Sequence, residues 1–360
     1  MRLNKLRRRL AENDLDAFLV SNSVNERYLS GFTGAEGDAW LLISQDSAWI
    51  ATDFRYYEQA ERECPDFELV RITTRFEDVL PEMLQRVGGR RIGYEADHVT
   101  VAQFERWLQP LSEYEWVATR EWVKGLRAVK EAEEVAAMRK AVALADEALA
   151  YGLQQVRPGM SERELAWFIE AYMRTHGAEK VSFDLIVAAG PNGAMAHYRP
   201  GDVPLPAGQP IVIDIGAQVN GYCSDLTRTI CLGEPAEPEL FWEVYNTVLA
   251  AQQKAEAEIR AGMTAVEADA IARQVIVDAG FGEQFGHGLG HGVGLEVHEK
   301  PKVSYVSEDT LTVGNLFTVE PGIYISGWGG VRIEDIALLT EEGVEVLTQS
   351  PKEPIVQRSW

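Results

Sequence analysis

Four carboxylates and a pair of histidines carry the chemistry legible in this chain. Asp214 lies in Ile211-Val-Ile-Asp-Ile215 and Asp225 in Ser224-Asp-Leu-Thr-Arg-Thr-Ile230, two apolar runs joined across Asn220-Gly221. An Asn-Gly pair between such runs is a strong hairpin signal, so the two aspartates become neighbours across a ladder. Glu320 and Glu334 repeat the arrangement, in Leu316-Phe-Thr-Val-Glu-Pro-Gly-Ile-Tyr-Ile325 and Gly330-Val-Arg-Ile-Glu-Asp-Ile-Ala-Leu338, around the turn Gly327-Trp-Gly-Gly330. Between the hairpins runs Phe285 to His298, where five glycines alternate with His287, Leu289, His291 and Val293. That spacing disfavours a helix and sets both histidines on one face of an extended segment whose other face is bare backbone.

A single acid on a strand ordinarily faces water. Two acid-bearing hairpins beside a double histidine demand compensation, because a carboxylate among Val, Ile and Leu is costly to bury without a positive partner. Four negative charges match two divalent cations, and Arg332 is close enough in sequence to share the work. Oxygen-rich donors with one imidazole favour Mn2+ and tolerate Co2+, Fe2+ or Zn2+. By spacing alone, either His287 or His291 fits as that imidazole.

Asp214, Asp225, His291, Glu320 and Glu334 stand in the contexts Asp-Ile-Gly-Ala, Ser-Asp-Leu-Thr-Arg-Thr, Gly-His-Gly-Val-Gly-Leu, Val-Glu-Pro-Gly-Ile-Tyr and Val-Arg-Ile-Glu-Asp. In that order they resemble the dinuclear metallopeptidases of the pita-bread fold, and within them the Xaa-Pro branch of aminopeptidase P and prolidase. The resemblance implies that Asp225 and Glu334 bridge two metals, that Asp214 completes one site, and that His291 with Glu320 completes the other. It implies a hydroxide nucleophile held between the metals, with Glu320 taking the proton of the attacking water. His197, His287 and His298 match family positions around the substrate, and Arg332 and Tyr324 are expected to support the carboxylates beside it. The preference for proline, a tertiary amide without an N–H, comes from the resemblance alone.

One departure bears on substrate length. Prolidases of this type carry an arginine shortly after the His-Glu that ends the central stretch, where it binds a free proline carboxylate. This chain has His298-Glu-Lys-Pro-Lys302, and lysine offers a point charge without the bidentate fork. An aminopeptidase that removes one residue before proline from longer peptides is therefore the expectation, with an Xaa-Pro dipeptidase as the alternative. A creatinase-like amidinohydrolase or a non-catalytic binding module would share the scaffold but lose ligands, and all five stand here.

The elements that must position these residues form an internal repeat. Val156-Arg-Pro-Gly-Met-Ser-Glu-Arg-Glu164 and Ile259-Arg-Ala-Gly-Met-Thr-Ala-Val-Glu267 each open a helix, ending near Gly177 and Gly280, through a capping box. Each helix is followed by one acid-bearing hairpin, which places the metals on a pseudo-twofold between two halves. A long Ala/Glu/Lys-rich helix from Lys130 to Gln155 begins this catalytic domain, expected over residues 125–360.

Residues 1–124 read as a separate α/β domain. Its strands are expected at Leu15–Val20, Trp40–Ile43, Ala48–Ala51 and Arg91–Tyr94, and its helices at about 3–13, 54–62, 75–87 and 100–110. Asn25-Glu-Arg-Tyr-Leu-Ser-Gly-Phe-Thr-Gly34 and Thr52-Asp-Phe-Arg-Tyr-Tyr57 resemble signature loops of the creatinase-type amino-terminal domain. The overall class is thus α/β, or α+β, with a creatinase-like domain before a pita-bread domain. The resemblance implies a homodimer in which Arg55 reaches a partner's substrate.

Composition agrees. A chain of 360 residues exceeds one typical domain, and a net charge of -22 argues against nucleic acid or an anionic membrane as partner. Three cysteines are too few for a disulfide framework and fit a reducing cytoplasm. Cys223, two residues from Asp225, reads as a small apolar filler before a thiolate ligand. The basic start Met1-Arg-Leu-Asn-Lys-Leu-Arg-Arg-Arg-Leu10 reads as a surface helix, not a secretory signal.

Overall fold

A computed structural model describes residues 2–357. The chain divides into two units, Met1–Arg127 and Ala128–Trp360.

The first unit is a six-stranded mixed sheet in the order β4-β3-β2-β1-β5-β6. Its strands are β1 (Ala17–Val20), β2 (Ala39–Ser44), β3 (Ala48–Asp53), β4 (Glu68–Ile72), β5 (Arg91–Glu95) and β6 (Glu115–Thr119). Helices α1 (Arg2–Glu12), α2 (Ser23–Ser30), α3 (Tyr57–Glu63), α4 (Phe76–Val87), α5 (Val101–Gln103) and α6 (Trp122–Arg127) connect or flank them. Leu19, Leu42, Leu80, Met83 and Trp107 pack into its core. The four expected strands are present. The structure adds β4 and β6, which are the two sheet edges; edge strands are buried on fewer sides, and their mixed sequences carry a weak apolar signal. It also corrects the loop expected from Asn25: Ser23–Ser30 is a helix, capped by the Asn22 side chain and ended by Gly31 at φ 86°.

The second unit consists of two similar halves. The first runs α7 (Ala132–Gln155), α8 (Glu162–Thr175), β7 (Lys180–Val181), β8 (Ile186–Ala189), β9 (Pro210–Ile215), β10 (Ala217–Val219), β11 (Tyr222–Cys223) and β12 (Leu226–Leu232). The second runs α9 (Pro238–Glu258), α10 (Ala265–Asp278), β13 (Gly290–Gly292), β14 (Glu299–Val303), β15 (Leu316–Val319), β16 (Gly322–Ile325), β17 (Gly329–Arg332) and β18 (Asp335–Leu339), followed by β19 (Val344–Val346) and β20 (Ile355–Val356). The capping boxes form as their sequences require: the Ser161 and Thr264 hydroxyls accept from the backbone of Glu164 and Glu267, whose carboxylates reach back. Each half has its own core, with Leu165, Ile169, Ile211 and Ile213 in the first and Phe241, Val248, Phe317 and Val319 in the second.

Both hairpins change sheet where their acids stand. β9 and β12 pair from Ile215↔Leu226 outward, whereas β10 and β11 close the hairpin tip in another sheet, through Asn220 and Gly221 at φ 51° and 83°. Likewise β15 pairs with β18 as far as Val319↔Asp335, and β16 with β17 begins at Gly322↔Arg332. At each break the backbone leaves one ladder and joins another. Among the described residues, no helix is long and apolar enough to cross a membrane.

Candidate metal centre

The central glycine-rich segment lies where bare backbone is required. A Cβ on Gly290 would stand 2.0 Å from the Thr318 carbonyl oxygen, and one on Gly292 would stand 2.1 Å from that of Lys300. The flanking strands β15 and β14 therefore close on His291 from both sides. Its Nδ1 faces the Gly292 carbonyl oxygen at 3.1 Å, which places a ring proton there and turns Nε2 toward the acids. That Nε2 lies 3.3 Å from Glu320 Oε1 and 3.6 Å from Asp225 Oδ2. Donor atoms of Asp225, His291 and Glu334 all fall within 4.8 Å of one another.

Asp214 and Glu320 flank this cluster. Arg332 Nη2 donates to Asp214 Oδ2 at 2.6 Å, while Asp214 Oδ1 is buried with no hydrogen-bond partner. Burial first, then the charges of Glu334, Asp214 and Glu320, hold the Asp225 carboxyl well above the usual range. Glu334 is raised by burial and by Glu320 and Asp214, and Asp214 by burial against the pull of Arg332. Burial also acts on Glu320, but the His291 hydrogen bond, with the charges of His291, His287 and Arg332, brings it down to about 2. His291 shows the counterpart: burial opposes its charge, and Glu320 raises it nonetheless. A set of acids that can shed its protons only against one another, with an orphaned buried oxygen among them, fits divalent cations.

His287 occupies a different place. Its Nδ1 lies 2.8 Å from the Gly288 carbonyl oxygen and its Nε2 lies 2.8 Å from Tyr324 Oη, which accepts from Arg332 Nη1 at 2.9 Å. Both ring nitrogens are thus engaged, and desolvation lowers its pKa. The Tyr324 hydroxyl donates to it, completing a chain Asp214–Arg332–Tyr324–His287. Of the two histidines, it is His291 that turns a ring nitrogen toward the clustered acids.

His298 packs its ring against His291, with centroids 4.3 Å apart, and is lowered by burial and by the charges of His291 and His197. His197 is exposed, on the loop after β8. Lys302 is the direct cross-strand partner of His291, so its exposed side chain leaves the same face of the sheet. Among the described residues no carboxylate pairs with its ammonium. Arg55 belongs to the first unit, where Asp53 and Asp38 hold it at 2.7 and 3.3 Å. Cys223 is buried against the Leu295 carbonyl oxygen and Gln218, outside the donor cluster.

Two hydroxyls absent from the sequence reading complete the centre. Thr227 Oγ1 donates to Glu334 Oε2 at 2.5 Å and accepts from Arg332 Nε at 3.1 Å. Thr318 Oγ1 donates to Glu320 Oε1 at 3.1 Å and accepts from the His291 backbone at 3.0 Å. Each lies two residues from an acid, Asp225 or Glu320, so strand alternation was the signal that could have found them. Arg228 was also missed: it donates to the backbone oxygens of Thr227 and Glu334, and to Asp335, tying the two halves together beside the acids.

Comparisons with known proteins give the family of the chain. Residues 136–341 match metallopeptidase family M24, and residues 2–129 match the creatinase/prolidase N-terminal domain. The chain belongs to metallopeptidase family M24. The similarity extends over nearly its whole length: an Xaa-Pro dipeptidase structure from Bacillus anthracis superposes with a TM-score of 0.93 at 39% identity, covering 98% of each chain. An X-Pro aminopeptidase structure from Thermotoga maritima has a TM-score of 0.90 at 38% identity, covering 98% of this chain and 99% of that one. The Xaa-Pro dipeptidase of Pyrococcus furiosus is 38% identical over 98% of this chain and 99% of its own. The mixed α/β architecture expected from the sequence, a creatinase-type unit before a pita-bread unit, is the architecture of this family.

Proposed function

We propose that this M24 metallopeptidase is an Xaa-Pro dipeptidase, a prolidase, that takes two divalent cations of which Mn2+ suits the donor set. The observation that carries the dipeptidase reading is the placement of Lys302, directly across the ladder from His291 and without an ion-pair partner among the described residues. A cation there suits the free carboxylate that a dipeptide presents one residue beyond the scissile bond. This reverses the preference drawn from the missing arginine, and the dipeptidase names of the Bacillus and Pyrococcus relatives support it. The Thermotoga relative's name keeps the aminopeptidase as the second reading.

Asp214, Asp225, His291, Glu320 and Glu334 would hold the metals, with Thr227, Thr318 and Arg332 orienting the carboxylates. Bound divalent ions supply Lewis acidity toward the scissile carbonyl and acidify a water. Glu320, ionised and with Oε1 engaged by Thr318 and His291, offers Oε2 to the proton of the attacking water. His298 and His197 stand at the open side, where they hydrogen-bond the substrate near the bond that breaks. His287, its nitrogens taken, acts through Tyr324 and Arg332 on the position of Asp214. We extend the proposal to a cytoplasmic homodimer, consistent with three free buried thiols, and to Arg55 as a contact made toward a partner's substrate. The division of labour between residues 1–124 and 125–360 belongs to the same reading.

The test is mass-spectrometric product analysis of the Mn2+-treated protein, with a chelated control, offered Ala-Pro beside Ala-Pro-Ala-Phe. Cleavage of Ala-Pro in preference to the tetrapeptide is expected. Release of the first alanine from the tetrapeptide at the higher kcat/KM would establish the aminopeptidase reading instead.

A further inference from the structure

Glu162 is an acidic residue with no exposed surface, and it lies outside the donor cluster. It is the first residue of α8, beside the Ser161 cap whose box is completed by Glu164, so the cap does not need its carboxylate. Its two oxygens take four hydrogen bonds, all from the end of β8 and the loop that follows it. Oε1 accepts from the Ala189 backbone at 2.9 Å and Asn192 Nδ2 at 2.9 Å; Oε2 accepts from Tyr198 Oη at 2.8 Å and the Gly201 backbone at 3.0 Å. These donors bracket His197 on both sides. Desolvation and the adjoining Glu162 carboxylate push the Tyr198 phenol up to about 12, so its hydroxyl stays a donor.

The loop is clamped from its other side as well. Its turn Gly190–Ala194 lies against β17, so closely that a Cβ on Gly330 would stand 2.1 Å from the Gly193 carbonyl oxygen. The strand that it touches ends in Arg332, which holds Asp214. The second half uses its own helix in the same way: buried Asp269 of α10 accepts from the Leu289 backbone and pairs with Arg273, which donates to the backbone oxygens of Phe285 and His287. In both halves a buried acid on the capped helix fixes a segment that carries a histidine.

We propose that Glu162 is a positioning residue that sets His197 against the substrate by saturating the four donors of its loop. The proposal rests on the reading of His197 as a substrate contact. A buried carboxylate that accepts four bonds costs desolvation energy, and its full complement of donors is what offsets that cost. Glutamine in its place keeps the shape but turns an NH2 group toward two donors, which must move apart. Displacement of a substrate-positioning group by about 1 Å can cost up to about 100-fold in rate.

The experiment is a double-mutant cycle on kcat/KM for Ala-Pro, read well below each variant's Tm, with Mn2+ affinity measured calorimetrically in parallel. His197→Ala and Glu162→Gln should each lower kcat/KM, the latter by about tenfold, and Glu162→Gln should cost nothing further in the His197→Ala background. Mn2+ affinity should be unchanged throughout, because the loop contains no ligand. Tyr198→Phe removes one of the four donors with little risk to folding and should show the same dependence on His197 with a smaller loss. Full activity of His197→Ala would remove the substrate-contact reading, and this proposal with it. A His197→Ala defect that multiplies with that of Glu162→Gln or Tyr198→Phe, or activity unchanged in both of those variants, would overturn this proposal alone.

Discussion

Glu320 Oε1 lies 3.3 Å from His291 Nε2 and 3.1 Å from Thr318 Oγ1, so one of its oxygens is fully occupied while the carboxylate as a whole is ionised. An ionised group with one oxygen engaged suits a proton acceptor that also binds metal. Glu320→Gln should lower kcat on Ala-Pro by about 10²–10⁴-fold, the range for loss of a positioned acid-base group. Folding and most Mn2+ binding should persist, checked by circular dichroism and calorimetry. Retained full turnover would sink the assignment.

The pH dependence of the metal-free protein follows from the remaining acids. Asp214, Asp225 and Glu334 have raised pKa values in the folded chain, so the stability that they contribute is complete below the ordinary carboxylate range and is lost as pH rises through the raised values. Glu320, held at about 2, contributes in the opposite sense but alone. Chelated protein should therefore show a Tm that falls as pH rises from mildly acidic to neutral, and the increment in Tm on adding Mn2+ should grow over the same interval. A metal increment independent of pH would contradict this account.

Thr227→Val removes a donor to Glu334 and an acceptor for Arg332, both buried. The cost to stability should be about 1–3 kcal/mol, the scale for stranding a buried polar group. Mn2+ affinity should fall by about 10–100-fold, as for loss of a group that orients a metal ligand. Urea unfolding and calorimetry measure the two effects separately.

Lys302→Met should raise KM for Ala-Pro by about two- to fivefold, on the scale of an exposed ion pair of about 0.2–1 kcal/mol. KM for Ala-prolinamide, which has no carboxylate, should stay as it was. Equal changes for both substrates would show that Lys302 contacts something other than the carboxylate.

Much of the architecture is local information. Asn220-Gly221 requires positive φ at two successive residues and so enforces one hairpin, and the Ser161 and Thr264 boxes set the starts of two 14-residue helices without tertiary help. Residue type and order also picked out the acids and the His-Gly-Leu-Gly-His segment, because charge within apolar runs can be read without coordinates.

What depended on the tertiary structure was every choice between residues that look alike along the chain. His287 and His291 share a face and a glycine spacing; only the folded backbone turns one nitrogen toward Glu320 and Asp225 and the other toward Tyr324. Thr227, Thr318 and Arg228 read as ordinary strand residues until the strands are assembled, and Glu162 reads as one more acid in a first helical turn. Their roles are hydrogen bonds, most of them to partners far along the chain, as from Thr227 to Glu334, 107 residues away. Such bonds have fixed distance and direction in space but no fixed spacing in sequence, so local pattern does not encode them.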